Sequence, residues 1–401
     1  MYTIKQLNNI YDCDDSSLAE LDKVTANSHC SFGKPHPVDE FVASHRSIFL
    51  SKRHPMQQFY IQHENGDIIS SVDVIARKGL HPNSCSLIIS SVFTNPKYRK
   101  MGFVAVLLTW IINFYETGSF ETPSGYTIGE TIANGEAQKY IDTIIPKEMR
   151  DHNRVHWTLN SIVGEFYSKF GFIPCRNMTW LEISDESVNA AGDFTNFKPI
   201  TKEEQFLTEA DLKTYYFGDK YGFQVPTDEK YQNLAQEDSQ IETTVSRLDS
   251  YINLQSDKIT NPDALRNIGL QINNGNEETI VFVTPFFLSG MLVVQRIYTS
   301  VTDKDIFKKH WERISQFIFS YAQNYWKQLD YLEFSHKSIF MADADFICAS
   351  NVISRDEWIN LVVSSHGWAN KGADMLLPMI RSWKEERKDL VIANNGFLGF
   401  M

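Results

Sequence analysis

The chain has 401 residues and a mass of 46.2 kDa, more than one hydrophobic core usually serves, so two domains of ordinary size are expected. A net charge of −12 and an isoelectric point of about 5.4 count against a nucleic-acid partner, and no apolar run is long enough to span a membrane. Five scattered cysteines without a C-x-x-C pair indicate neither a disulfide framework nor a zinc site, so no metal and a reducing, cytoplasmic compartment are expected.

Residues 1–7 read as a short strand. Ser17-Leu18-Ala19-Glu20 has the form of a capping box, and the helix behind it carries Leu18, Leu21 and Val24. Residues 38–50 form a second amphipathic helix through Phe41, Val42, His45, Ile48 and Phe49. A strand at 58–63, the hairpin turn Glu64-Asn65-Gly66-Asp67, a return strand at 68–77 and a third strand at 86–93 follow. Asn95-Pro96 breaks that strand, because proline fixes φ and offers no amide donor. Tyr98-Arg99-Lys100-Met101-Gly102 is a basic turn, and a helix opens near Phe103 with Val104, Leu107, Leu108, Ile111, Ile112 and Tyr115 on one stripe. The first amides of a helix have no partner within it and the macrodipole is positive there, so this joint has the chemistry of an anion site.

Residues 116–153 hold five glycines and prolines before a helix-like segment at 136–145. They read equally as an insertion beside a cleft or as a decorative loop. A strand at 155–159 leads into Ile162, Val163, Phe166, Tyr167 and Phe170 at helical spacing, ended by Gly171. Residues 172–174 and 178–183 read as a closing strand pair. Residues 186–240 are polar and mixed, the expected connection between a domain at 1–185 and a C-terminal α+β domain at 241–401. In the latter a helix is expected near 245–252, strands at 279–283 and 291–298, a long helix at 305–328, a strand at 331–334, and helices at 356–363 and 375–383.

Arg99-Lys100-Met101-Gly102-Phe103-Val104 resembles motif A of the GNAT (GCN5-related) N-acetyltransferases, [Q/R]-x-x-G-x-[G/A] after a strand and before a helix. Val104 stands where that motif carries a small residue, and its side chain is expected to crowd the approach. Phe166-Tyr167-Ser168-Lys169-Phe170-Gly171-Phe172 resembles the end of motif B. The order strand, two helices, three-stranded meander, helix also fits the first half of that fold. Ser161, Gly164, Phe166, Tyr167 and Gly171, with the stretch from Asp374 to Trp383, resemble fungal lysine N-acetyltransferases of similar length.

This resemblance implies an α+β acyltransferase fold, a mixed and mostly antiparallel sheet with flanking helices. The order strand, strand, helix, strand in the second domain reads as a degenerate repeat of the first, without the glycine motif before the helix at Ile306, or as an unrelated α+β domain. The resemblance further implies acetyl-CoA as co-substrate, held by Arg99, Lys100, Met101, Gly102, Phe103 and Val104. The oxyanion donor is implied at a strand bulge near Val92 and Phe93, and pantetheine contacts at Asn160 and Ser161. Tyr167 is the implied proton donor to the leaving thiolate. No general base is singled out among Asp73, His81, Glu130, Glu136 and His156. The expected acceptor is a small-molecule amine, free L-lysine first, with polyamines, protein lysines or a non-catalytic acyl-CoA-binding module as alternatives. The second domain is expected to shape the acceptor side.

Overall fold

In the computed structural model the described residues are 1–9, 14–50, 55–78, 84–118, 121–145, 147–151, 155–176, 178–212, 231–232, 252, 258–259, 261–286, 289–383 and 391–392. The strands, in chain order, begin with β1 (Tyr2–Asn8), β2 (Met56–His63), β3 (Ile68–Lys78), β4 (Cys85–Thr94), β5 (Tyr126–Ile128) and β6 (Val155–Ser161). They continue with β7 (Ile173–Pro174), β8 (Trp180–Ser184), β9 (Glu204–Leu207), β10 (Tyr231–Gln232), β11 (Gly269–Asn274) and β12 (Glu277–Phe286). Last come β13 (Met291–Thr299), β14 (Ser338–Ala342), β15 (Phe346–Cys348), β16 (Ala369–Gly372), β17 (Leu377–Ser382) and β18 (Val391–Ile392). The helices are α1 (Asp15–Phe32), α2 (Val38–Leu50), α3 (Phe103–Thr117), α4 (Glu130–Ala133), α5 (Glu136–Ile144), α6 (Lys147–Asp151), α7 (Asp185–Ala190), α8 (Pro262–Arg266), α9 (Lys304–Gln328) and α10 (Arg355–Val363). The chain divides into two compact units: Met1–Cys175 with Pro226–Ser239 and Leu377–Ala393, and Arg176–Val225 with Gln240–Leu376 and Asn394–Met401.

The first unit is built on one mixed sheet in the order β5-β1-β2-β3-β4-β6-β17-β7. β2, β3 and β4 form the expected antiparallel meander, joined at Gly66, whose φ of +91° suits a tight hairpin. The pleat sorts their side chains. Phe59, Val72, Val74, Leu87, Ile89, Trp157 and Leu159 turn to α3 and are buried with Leu107, Leu108, Ile111 and Tyr115. Met56 and Tyr60, on the opposite face, pack on Leu21, Phe49 and Val24 of the first two helices. The cap of α1 is Asp14, whose carboxylate accepts from the Ser17 amide, so the helix opens ahead of the expected capping box.

β17 comes from far along the sequence and pairs antiparallel with both β6 and β7. Trp383, just beyond it, stacks on Trp157 with ring centroids 6.2 Å apart. Arg381 pairs with Glu116 at the end of α3, and Glu116 also accepts from the Trp157 indole at 3.0 Å. The expected helix at 375–383 is therefore a 3-10 turn (Asp374–Leu376) running into a strand. Its apolar run is compatible with either period, and the open edge of β6 selects the extended form.

The second unit holds another mixed sheet, β16-β8-β14-β13-β12-β11-β9, with β15 paired to β13. It has its own antiparallel meander, β11-β12-β13. The 25-residue α9 follows, burying Phe307, Trp311, Ile314, Phe317, Ile318, Tyr321 and Tyr325, and then β14 lies parallel to β13. The expected strand at 331–334 lies instead at Ser338–Ala342. The expected strand pair at 172–183 is not a pair: β7 belongs to the first sheet and β8 to the second. Residues 185–190 and 204–207, expected in a connecting segment, form α7 and β9. The helix expected near 245–252 falls outside the described residues apart from Ile252. The fold class is α+β as expected, with mixed sheets in both units.

Candidate active site

β4 and β6 are parallel neighbours that separate. Their pairs run from Cys85↔Val155 to Ile88↔Thr158 and stop. Beyond that point β4 continues to Thr94 against β3, while β6 continues to Ser161 against β17. A gap thus opens in the middle of the sheet at the carboxyl ends of two parallel strands, where open α/β sheets place ligands.

The β4 side of the gap carries a bulge. Asp73 pairs with Ser90 and Ser71 with Phe93, so Val72 faces both Ser91 and Val92, and one of their amides is left out of the ladder. Ser91 takes a left-handed φ of +50°. The Ser70 hydroxyl donates to the Phe93 carbonyl at 2.6 Å, anchoring the strand beyond the bulge. Phe93 is buried and Val92 is half-buried.

The turn after β4 follows from local rules. Pro96–Tyr98 makes a 3-10 turn capped by the Asn95 side chain. Lys97 and Tyr98 then hold Asp67 of the hairpin, whose carboxyl their donors pull down to about 2. Lys100 has φ +66° and Gly102 φ +84°. No side chain caps α3, and a Cβ at Gly102 would meet nothing within 4 Å. The helix start is therefore an exposed set of amide donors. Arg99 braces this turn: its Nε donates to the Thr94 carbonyl at 3.1 Å and its Nη2 to the Ser31 hydroxyl at 3.2 Å. Lys100 and Met101 are exposed and Phe103 is buried. The Val104 side chain packs half-buried on the core, so its bulk is directed to the core.

Tyr167 sits on the turn that follows β6. That turn is a kinked 3-10 segment, Gly164–Phe170, rather than the expected regular helix, and Ile162 and Val163 before it are exposed at 72% and 59%. Gly171 closes the segment at φ +82°, with Arg381 against it. Tyr167 is 8% exposed, in ring contact with Phe166 and Phe172, and burial pushes its hydroxyl up to about 12. Its proton is therefore retained at neutral pH. Ser161 is buried, with its hydroxyl donating to the Gly164 carbonyl at 2.6 Å and accepting from the Val163 amide, so it shapes the turn. Asn160 is half-buried on β6, opposite Pro378.

The five candidate bases separate. Glu130 and Glu136 are exposed on the insertion, which packs on β1, with Thr131 donating to the Gln6 carbonyl. β1 lies three strands from β4, so the insertion does not border the gap. His81 lies outside the described residues. His156 is buried on β6, where that strand is still paired with β4. Asp73 is 1% exposed beside the bulge, and burial raises its carboxyl above the usual range against the lowering effects of His45, Ser91 and Gln58.

Residues not singled out by sequence also stand here. The Thr158 hydroxyl, at the last β4–β6 pair, is buried without a hydrogen-bond partner, and so is the Gln58 side-chain oxygen. Their signal was a polar residue inside an apolar alternation, which a solvent-facing strand position produces equally well. Among the described residues no three potential ligands gather as a metal site, and no helix is long and apolar enough to cross a membrane.

No protein-family model matches the chain, and no curated protein does. Solved structures do show similarity. A tandem GNAT protein from the clavulanic acid biosynthesis pathway is 9% identical with a TM-score of 0.44, over 96% of this chain and all of that one. A GCN5-related N-acetyltransferase from Kribbella flavida is 8% identical with a TM-score of 0.39, over 95% of this chain and 72% of that one. Eis1 from Mycobacterium abscessus is 10% identical with a TM-score of 0.38, over 94% and 73%. At such scores these are similarities and assign neither family nor residues.

Proposed function

We propose that the chain is an acetyl-CoA-dependent N-acetyltransferase whose site lies in the first unit and whose acceptor is a small-molecule amine, free L-lysine first. The observation that carries this reading is the gap between β4 and β6, flanked by the Ser91–Val92 bulge and followed by an uncapped helix start at Gly102. An adenine nucleotide thioester is an anionic, elongated ligand. The amides of Gly102, Phe103 and Val104 suit its pyrophosphate, with Lys100 and Met101 at the turn's surface. Arg99 holds the turn's shape through Thr94 and Ser31. Asn160 and Ser161 border the β6 side, where an amide-bearing arm can lie along the strand.

The thioester supplies the acetyl group. The bulge amide near Val92 and Phe93 is the donor available to its carbonyl oxygen as negative charge develops. Tyr167, still protonated, gives its proton to the departing sulfur. The amine must be neutral to attack, and a lysine side chain of ordinary pKa is so in only about one part in a few thousand at pH 7. A desolvating site next to Asp73 helps meet that need. The lysine preference rests on the Ser161–Gly171 pattern and the Asp374–Trp383 stretch, the latter including β17 beside β6.

Free thiol release should be followed with acetyl-CoA and a panel containing lysine, polyamines and a lysine-bearing peptide. Lysine-dependent release supports both class and substrate. Release with another amine keeps the class and replaces the substrate. Binding of acetyl-CoA without release by any amine leaves a non-catalytic module, and absence of binding removes the proposal.

A further inference from the structure

We propose that Tyr98 is a positioning residue for the anion turn: its hydroxyl, held by Asp67 of the β2–β3 hairpin, fixes a ring that braces Phe103, which carries one of the free amides of α3. The inference rests on the transferase reading above, in which those amides take the pyrophosphate. The turn has no cap of its own. No side chain hydrogen-bonds the helix start, and Lys100 and Gly102 both take left-handed φ. A strained turn keeps its shape where surrounding groups over-determine it.

Asp67 supplies that hold. Three donors meet at its Oδ2: the Tyr98 hydroxyl, the Lys97 ammonium at 2.9 Å and the Asn65 side-chain amide at 3.3 Å. The Asp67 backbone amide donates to the Asn65 side-chain oxygen at 3.0 Å, which fixes the hairpin tip. Lys97 is 66% exposed, so its arm adds little. Tyr98 is the arm that reaches the helix. It is half-buried on the first unit's core and meets Phe103 edge-on, with ring centroids 6.2 Å apart. Phe103 is buried and also meets Tyr2 at 4.9 Å. From the other side α1 holds the turn, with Asn27 accepting from Asn95 at 2.8 Å and Ser31 accepting from Arg99.

The second unit has the hairpin contact without the brace. Glu277, at the start of β12, accepts from the amide and hydroxyl of Thr302, just before α9. Thr302 has no ring, and Asp303 beside it occupies the first free amides of α9. A hairpin carboxylate pinned to the strand–helix joint is common to both units. The aromatic link from that carboxylate to an open helix start occurs in the first.

Tyr98→Phe keeps the ring and removes the donor. It should weaken acetyl-CoA binding in titration calorimetry about fivefold to tenfold, with kcat at saturating acetyl-CoA within about twofold of wild type, because the turn holds the co-substrate away from the reacting carbonyl. Asp67→Ala should weaken binding equally, and the double variant no further, since both changes remove one contact. Charge alone predicts the opposite sign: Asp67 is a negative charge near an anion site, so its loss would tighten binding. Tighter or unchanged binding in either single variant would overturn the inference, and so would losses that add in the double variant. Glu277→Ala, the matched change in the second unit, should leave binding within about twofold of wild type. An equal weakening there would reduce the effect to a general loss of stability and overturn the inference too. A wild type that binds no acetyl-CoA defeats the transferase reading, and the brace is then read by amide hydrogen exchange at Ala105 and Val106, which donate to the Gly102 carbonyl at 3.0 and 3.1 Å. Tyr98→Phe and Asp67→Ala should each speed exchange there about fivefold or more. Exchange equal to that of wild type would overturn the brace.

Discussion

Both units run an antiparallel meander into a helix and then into a strand parallel to the last one, yet they treat that parallel pair in opposite ways. In the first unit β4 and β6 pair through Ile88↔Thr158 and part for good. In the second, β13 and β14 pair through Val294↔Met341. The chain then sidesteps through a 3-10 turn, Asp343–Asp345, and re-pairs as β15 from Ile297↔Phe346 to Thr299↔Cys348. The helix starts differ in the same sense. α3 begins at an uncapped left-handed glycine, whereas the Asp303 carboxylate takes the first free amides of α9, those of Asp305 and Ile306, at 2.8 and 3.0 Å. A negative cap uses the donors that an anion would otherwise take. One architecture can therefore leave a gap between its parallel strands or close it with a further strand, and the choice lies in a few residues after each strand.

The largest expected effect comes from removing the far flank of the open gap. A chain ending before Leu377 loses β17 and Trp383, and exposes the β6 edge and the Trp157 face. It should lose the first unit's cooperative thermal transition, which calorimetry would show; a transition of normal size would mean β6 needs no partner. Next, Glu116→Ala leaves the Arg381 guanidinium and the Trp157 indole without their shared acceptor. The expected cost is on the order of 3 kcal/mol in urea unfolding, as for other buried pairs cut on one side.

Tyr167→Phe should lower kcat about a hundredfold, near 2.7 kcal/mol, without a comparable loss of stability. Because burial pushes the Tyr167 hydroxyl up to about 12, it stays protonated through the neutral range. The rate should rise with pH as the amine loses its proton, and a steep fall below pH 9 would argue against this acid. The same shift makes a stability statement. The folded-state value lies above the unfolded value of about 10, so its contribution is complete below that pH and is lost as pH rises towards 12.

Gly102→Val forces a branched side chain onto φ +84° and should weaken acetyl-CoA binding by at least about tenfold, roughly 1.4 kcal/mol, in titration calorimetry. The matched change in the second unit, Asp303→Ala, should cost about 1 kcal/mol of stability as a lost cap and leave that binding unchanged. Tighter binding after Asp303→Ala would show that the second helix start also takes the ligand, and would undo the contrast.

Much of the first unit was legible because its signals are local. The Asn65-Gly66 hairpin, the Asn95-Pro96 break, the glycine before Phe103 and the apolar stripe to Tyr115 each depend on residues within a turn or two. The long helix of the second unit was legible for the same reason. The turn carrying Tyr167 is less regular than its helical spacing implies, because Ile162 and Val163 fall on that spacing and yet are exposed. The insertion's position was not legible, because an amphipathic helix records that one face is covered without recording by which strand.

What the sequence by itself determined is the first meander, the β12–β13 pair, the long α9, the left-handed glycine turn before α3 and the missing glycine turn before α9, since each is set by backbone dihedrals and short-range periodicity. The tertiary structure decided which strands meet. β7 and β8 are near neighbours in the chain and lie in different sheets, while β17 crosses about two hundred positions to sit beside β6. It also decided where a parallel pair parts, where β15 closes a second gap, and that Asp73 is buried beside the β4 bulge rather than facing solvent. Strand pairing is bought with burial and hydrogen bonds at long sequence separation. An apolar alternation shows that a strand has a covered face and leaves its partner open.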